Sequence, residues 1–275
     1  MDCLPKGMTF ESHPVNPQDG KRLPEENVPG SMKRLTITIK KYYPVAWLVF
    51  LIGSLVLVLA WMPSEMRMII WHGLVARGIL SSMLLVFSLL TVSLVWSAGQ
   101  RLDVWAFLFF NLRGSRPVWL DRTMLGFTQL GSGFAALAIG LILFLTGERL
   151  VAYELILGTL TLWLVVELVK ALVQRSRPFK RVTQVRIVGY RAAGRSFPSG
   201  HTSQAFFMAT LMASHFHFSA WVVLLLFAIA LFVGLTRMYV GAHYPRDVLA
   251  GAILGSVWGL LGVLVDGYVL INGIN

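Results

Sequence analysis

"SFPSGHTSQAFFMATLMASHFHFSAWVVLLLFAIALFVGLT", residues 196 to 236, runs for 41 residues without Asp, Glu, Lys or Arg. A helix needs about 20 apolar residues to cross the hydrocarbon core of a bilayer, so this stretch is long enough for two crossings. It divides at "SHFHFSA", Ser214 to Ala220, where polar and small residues interrupt the apolar run. Backbone in lipid must satisfy its own hydrogen bonds, and nothing in the chain alternates as barrel strands do. The stretch therefore reads as two membrane helices joined by a turn, and the fold as all-α.

Other uncharged runs flank it: Tyr42 to Ser64, Gly78 to Gln100, Thr123 to Gly147, a run around Leu155 to Val166, and Val248 to Val265. Seven membrane helices result. Of 275 residues, 56% are hydrophobic and 13% charged, more apolar than the roughly half that soluble domains carry. The expected architecture is a polytopic membrane helix bundle. Residues 75–270 form a six-helix core, 42–64 an extra N-terminal membrane helix, and 1–41 a disordered basic tail with five prolines among polar residues. "RLDVWAFLFFNLRGSRPVWLDR", Arg101 to Arg122, reads as an interfacial segment, its Trp and Phe toward the acyl chains and its Arg and Asp toward water.

The net charge is +11. Beside membrane helices, Lys and Arg mark the cytoplasmic side or meet anionic head groups, so the charge does not argue for nucleic acid. The single cysteine, Cys3, cannot form an internal disulfide.

Ionisable groups at a membrane edge are expensive, which makes them functional candidates. Three polar clusters stand at the ends of helices: Lys170 with Arg177 and Pro178; Pro198, Ser199, Gly200 and His201; and Arg237, His243 and Asp247. If the last four helices alternate in direction, all three clusters reach one face. On a continued helix Lys170 and Arg177 would lie within about 20° of each other, although Pro178 disfavours helical geometry at Arg177. Lys170 taken alone also reads as a snorkelling anchor paired with Glu167.

Together these residues suit a phosphoryl group. Lys and Arg neutralise its oxygens, the guanidinium binding two at once, and the amides of Ser199, Gly200 and His201 at a helix N-terminus add donors. A metal site fits less well: Asp247 is the only carboxylate at hand, and His201 with His243 lacks a third ligand. No metal and no cofactor are expected.

"KALVQRSRP", "PSGH" and "RMYVGAHYPRD" resemble the three-part signature of the type 2 phosphatidic acid phosphatase superfamily, with Thr236 in place of the usual Ser. The resemblance runs from about Arg77 to Tyr268 and includes "FTQLGSG" at Phe127 to Gly133. It implies an integral-membrane, metal-independent lipid phosphatase in which His243 attacks phosphorus and forms a phosphohistidine, with Asp247 orienting its imidazole. His201 would protonate the leaving oxygen and then activate water. Lys170, Arg177, Arg237, Ser199 and Gly200 would hold the nonbridging oxygens.

The partners expected are the bilayer and a membrane lipid phosphate such as undecaprenyl diphosphate, phosphatidic acid or phosphatidylglycerol phosphate. A phosphotransferase on the same site and a non-catalytic lipid-binding or transport protein are the alternatives, and the sequence leaves the oligomeric state open. Seven crossings with the basic tail inside would put residues 175–198 inside as well. The bacterial members that the chain resembles carry the active site outside the cytoplasm, and the expected location is a bacterial inner membrane with an extracytoplasmic site.

Overall fold

The computed structural model describes residues 49–50, 52–76, 78–95, 97–112, 116–182 and 185–272. The tail assigned to 1–41 and the first residues of the helix expected over 42–64 lie outside these. The elements are α1 (Ile52–Trp61), α2 (Ser64–Ala76), α3 (Gly78–Ser93), α4 (Ser97–Leu112), α5 (Val118–Thr128), a 3-10 turn (Gln129–Gly131), α6 (Gly133–Leu145), α7 (Arg149–Val173), α8 (Pro178–Arg181), α9 (Gly200–His215), α10 (Ala220–Tyr239) and α11 (Pro245–Asn272). Among the described residues there is no strand, so the fold is all-α as expected.

Hydropathy alone does not reveal where the helices bend. The run expected over 78–100 stops at Ser93, and α4 sets off at 97° to α3. The run over 123–147 contains the end of α5 and then α6, bent by 58° at a break where Ser132 Oγ accepts from the Ala135 amide. Pro63 separates α1 from α2, which diverge by 111°. α2 itself, "SEMRMIIWHGLVA", was not expected from the sequence.

Among the described residues α3 and α11 pack antiparallel along the bundle. The carbonyl of Ser93, at the end of α3, receives Arg246 Nη1 at the start of α11. At the other end Leu80 of α3 packs with Val257 and Leu264. Among the described residues, by length and composition alone, three helices can cross a membrane, or six if each bent pair counts as one span. The 16 residues of α9 extend about 24 Å, short of the roughly 30 Å hydrocarbon core, yet α9 is the centre of the bundle.

Residues on every side of α9 are buried, from Thr202 to Leu211, as expected of a helix enclosed by neighbours. Lipid tails are as apolar as leucine, so helices in a membrane associate chiefly through close packing. Gly251, Gly255 and Gly259, one turn apart on α11, provide it. A Cβ on Gly251 would meet the Ser199 carbonyl at 2.7 Å, and one on Gly259 would meet Thr210 Cβ at 2.6 Å. The first of these contacts presses the start of α11 against the start of α9.

α4 departs from the amphipathic pattern expected for it at Asp103. Asp103, Phe107 and Asn111, spaced by four residues and so on one face, are buried, while Leu102, Trp105 and Phe109 are exposed. The expectation that the acid of this segment faces water is therefore wrong for Asp103. Its carboxylate is held inside the fold by Arg175 and Arg246.

Candidate active site

The end of α7, the start of α9, the end of α10 and the start of α11 converge at one end of the bundle, as their alternation predicts. α7 ends at Val173 because Gln174 takes the left-handed conformation (φ 53°), its amide donating to the Lys170 carbonyl. Lys170 and Arg177 therefore do not share a continued helical face. Arg177 is extended and precedes Pro178, the first residue of α8, and it reaches the site by its own path. Gly241 (φ +86°) makes the corresponding turn after α10, and the amides of Ala242 and His243 fold back onto the Arg237 carbonyl.

His243 lies at the centre, 3% exposed. Its Nε2 is 3.1 Å from Arg177 Nη1 and its Nδ1 is 2.7 Å from the Ser196 carbonyl. A guanidinium can only donate and a carbonyl can only accept, so Nδ1 bears the hydrogen and Nε2 holds the lone pair. Burial pushes the imidazole pKa down to about 3, Asp247 opposing the shift and Arg177 and Arg237 adding to it. The ring is therefore neutral near pH 7.

The partners of the cations differ. Arg177 donates to the carbonyls of Ala193 (2.8 Å from Nη2, 3.2 Å from Nε) and Ala242 (3.1 Å) besides His243. Arg237 donates to Thr128 Oγ1 at 2.8 Å, and its buried Nε has no partner among the described residues. Among the described residues neither forms an ion pair. Lys170 does, with Glu167 at 2.7 Å, as its anchor reading requires; its Nζ is nevertheless 3.8 Å from the Cβ position of Gly200. His201 lies within reach of the charges of Arg237, Lys170 and Arg177.

At the start of α9, the amides of Gly200, His201 and Thr202 find no acceptor among the described residues. The Ser199 amide is not free, contrary to expectation, because it donates to the Asp247 carbonyl at 2.9 Å. Ser199 Oγ accepts from Thr202 Oγ1 at 2.9 Å, which leaves its own proton available. The site end therefore presents helix amides, imidazoles and incompletely paired cations. Two buried guanidiniums without a carboxylate are costly, and an anion between them removes that cost. No three His, Cys, Asp or Glu among the described residues stand where they could hold a metal ion.

Asp247 lies farther from His243 than expected, with Oδ2 3.7 Å from Nδ1. Its oxygens instead receive Arg175 Nη1, Ser196 Oγ and, at 2.9 Å, the Tyr244 amide. Ser196 joins the two residues, its hydroxyl on Asp247 and its carbonyl on His243. Asp103 receives Arg175 Nη2 and, at 2.8 Å, Arg246 Nε. Arg175 Cζ lies 4.2 Å from the centroid of the Tyr244 ring, and Phe107 meets that ring edge-on at 5.6 Å. Asn111 Nδ2 donates to the carbonyls of Arg186 (2.8 Å) and Tyr239 (2.9 Å), tying the loop after α8 to the end of α10.

Sequence reasoning missed Asp103, Asn111, Thr128 and Ser196 as site residues, and it counted Arg175 among the loop cations suited to an anionic head group, whereas Arg175 is paired with Asp103 and Asp247. The spacing of Asp103, Phe107 and Asn111 was the available signal for α4. Thr128 stands within the "FTQLGSG" stretch noted above, and Gly131 in the same stretch packs on the backbone of His201.

The likeness to known proteins falls on this same framework. A family model described as the PAP2 superfamily matches residues 150–269, which carry all three clusters. Phosphatidylglycerophosphatase B of Bacillus subtilis is 30% identical over 169 residues, covering 56% of this chain and 77% of that protein. An undecaprenyl-diphosphatase of Sulfolobus acidocaldarius is 26% identical over 187 residues, covering 67% and 89%. The crystal structure of a transmembrane PAP2-type phosphatidylglycerolphosphate phosphatase from Bacillus subtilis superimposes with a TM-score of 0.61 at 26% identity, over 70% of this chain and 98% of that one. With its apolar helices, its clustered site and relatives that are membrane lipid phosphatases, the chain is an integral membrane protein and belongs to the PAP2 superfamily.

Proposed function

We propose that this protein hydrolyses the phosphate or diphosphate of a membrane lipid through a phosphohistidine on His243, without a metal ion. One observation carries the reading: a buried, neutral His243 directs its Nε2 lone pair toward Arg177, a cation with no carboxylate partner. A phosphoryl group drawn to Arg177, Arg237 and Lys170 would replace Arg177 in front of that lone pair. In the first step the Nε2 lone pair forms the N–P bond, the bond from phosphorus to the lipid oxygen breaks, and its electron pair leaves with that oxygen. A bound phosphate anion would offset the charges of Arg237, Lys170 and Arg177 that oppose protonation of His201, and His201 so protonated gives the leaving oxygen its proton.

The imidazole becomes cationic as it is phosphorylated, and the carboxylate of Asp247, 3.7 Å from Nδ1, opposes that charge. In the second step His201 takes a proton from water, the water oxygen bonds to phosphorus, and the N–P bond breaks back to Nε2, releasing inorganic phosphate. The free amides at the start of α9 and the cations favour the charge that develops on the nonbridging oxygens. The donor set of imidazoles, cations and amides supports a reaction without a metal, and the names of the relatives support a lipid phosphate or diphosphate as substrate.

We place the protein in a bacterial inner membrane with the site outside the cytoplasm. The 111° bend between α1 and α2 supports a first segment that turns back without crossing. The basic tail inside then leaves the site end outside.

The test is phosphate release from dioctanoyl phosphatidic acid and undecaprenyl diphosphate by the purified full chain in detergent, with and without chelator. His243→Ala is expected to lose at least about 10³-fold in kcat, and acid-quenched wild type is expected to carry a phosphoryl group that the variant lacks. Unchanged release by the variant would sink the mechanism, and chelator-sensitive turnover would sink the metal-free part of it.

A further inference from the structure

The match to the family model begins at residue 150, yet α4, some forty residues earlier, grips the catalytic segments. Asp103 is 3% exposed and receives three donors from beyond its own helix: Arg175 Nη2, Arg246 Nε at 2.8 Å and the Arg246 amide at 3.1 Å. Gln100, one turn before it, accepts from Arg175 Nη2 at 3.0 Å. The other terminal nitrogen of Arg175 donates to Asp247, and Asp247 reaches His243 through Ser196. A continuous polar path thus runs from α4 to the ring whose lone pair faces the phosphate site.

We infer that Asp103 is a positioning residue for the reaction: it locks Arg175, which holds the carboxylate of Asp247 in register with the Ser196–His243 bond. The inference rests on the proposed role of His243. An arginine held by a single carboxylate can pivot about that contact. One held on both terminal nitrogens is fixed in its plane, and here the Tyr244 ring supports the guanidinium from one face. Asp103, Asp247, Arg175 and Arg246 also balance in charge, two against two, so the network offers no net attraction to an anion. Its loss should slow turnover and leave phosphate binding intact, because Lys170, Arg177 and Arg237 stand outside it.

Asp103→Asn keeps the shape of the side chain and removes its charge. In the purified full chain, with dioctanoyl phosphatidic acid as substrate, kcat should fall about tenfold, the scale on which outer partners of reacting residues act. KM and the inhibition constant of inorganic phosphate should stay within about twofold of wild type. Asp103→Asn/Arg246→Gln restores the charge balance without restoring the hold on Arg175, and should remain as slow as the single variant. Wild-type kcat in Asp103→Asn overturns the inference. So does an inhibition constant that rises by the same factor as kcat falls, since that marks a collapsed site, and so does recovery of kcat in the double variant. His243→Ala measured alongside separates the two ideas: turnover there defeats the nucleophile, whereas an inactive His243→Ala beside a fully active Asp103→Asn defeats the positioning role alone.

Discussion

Arg175 and Arg177 are two residues apart, equally well buried, and opposite in their chemistry. Arg175 is closed: its terminal nitrogens rest on Asp103 and Asp247, and the charge is matched within the protein. Arg177 is open: its partners are two carbonyls and an imidazole nitrogen, none of which carries a negative charge. Residue type and burial do not distinguish a structural arginine from a ligand-seeking one; the acceptors do. The site can be understood as two adjoining electrostatic regions, a neutral network that fixes the histidine and a cationic pocket that needs an anion.

The largest effect should come from opening the closed region. Arg175→Met leaves Asp103 and Asp247 buried with only Arg246 to balance them, and breaking a buried ion network of this kind costs about 3–5 kcal/mol. The thermal midpoint of the purified protein should drop by about 10 °C. An unchanged midpoint would show that the network does not stabilise the fold.

Arg177→Gln should behave oppositely. It removes an uncompensated buried charge, so the midpoint without ligand should hold or rise while kcat/KM falls about 10²-fold, the scale for losing one donor to a transition-state oxyanion. Inorganic phosphate, expected to raise the midpoint of wild type by mass action, should no longer do so. A loss of stability comparable to that of Arg175→Met would erase the distinction between the two arginines.

This contrast also explains what the sequence disclosed. Lys170, His201, Arg237, His243 and Asp247 were legible because ionisable residues at the ends of apolar helices are rare and expensive, and the alternation of helices brings such ends together. Asp103 was not legible: an acid among Trp and Phe looks like the wet side of an interfacial helix, and its partner Arg175 is 72 residues away. Only the tertiary fold supplies that partner. The bends between α3 and α4 and at residues 131–132 escaped for a related reason, since hydropathy measures solubility in lipid and continues unchanged through a turn.

His243 connects the two regions, and its protonation offers a smaller test. In the unfolded chain its pKa is near 6.5, and in the fold burial holds it down to about 3. Between these values the unfolded state binds the proton and the folded state does not, so stability should be complete above pH 6.5 and decline as the pH falls toward 3, by at most about 1.4 kcal/mol per unit. His243→Asn lacks this titration. Between pH 7 and pH 5 the wild type should lose stability more steeply than the variant, by about 1 kcal/mol per unit in denaturation measurements, and parallel slopes would mean that the imidazole is not held neutral.

The smallest effect tests the neutral partner of an open cation. Thr128 Oγ1 is the acceptor for Arg237 Nη1 at 2.8 Å, and it positions the guanidinium without neutralising it. Thr128→Val keeps the shape and loses the acceptor, a change worth about 1 kcal/mol for a single hydrogen bond, so the inhibition constant of inorganic phosphate should weaken about fivefold. Thr128→Ser restores the hydroxyl and should bind as wild type does. The size of the loss matters as much as its presence. If Thr128→Val weakens phosphate a hundredfold, the hydroxyl touches the ligand directly and belongs to the pocket itself; if the loss is about fivefold and Thr128→Ser recovers it, Thr128 acts through Arg237, and the pocket is cationic because its arginines are held by neutral groups.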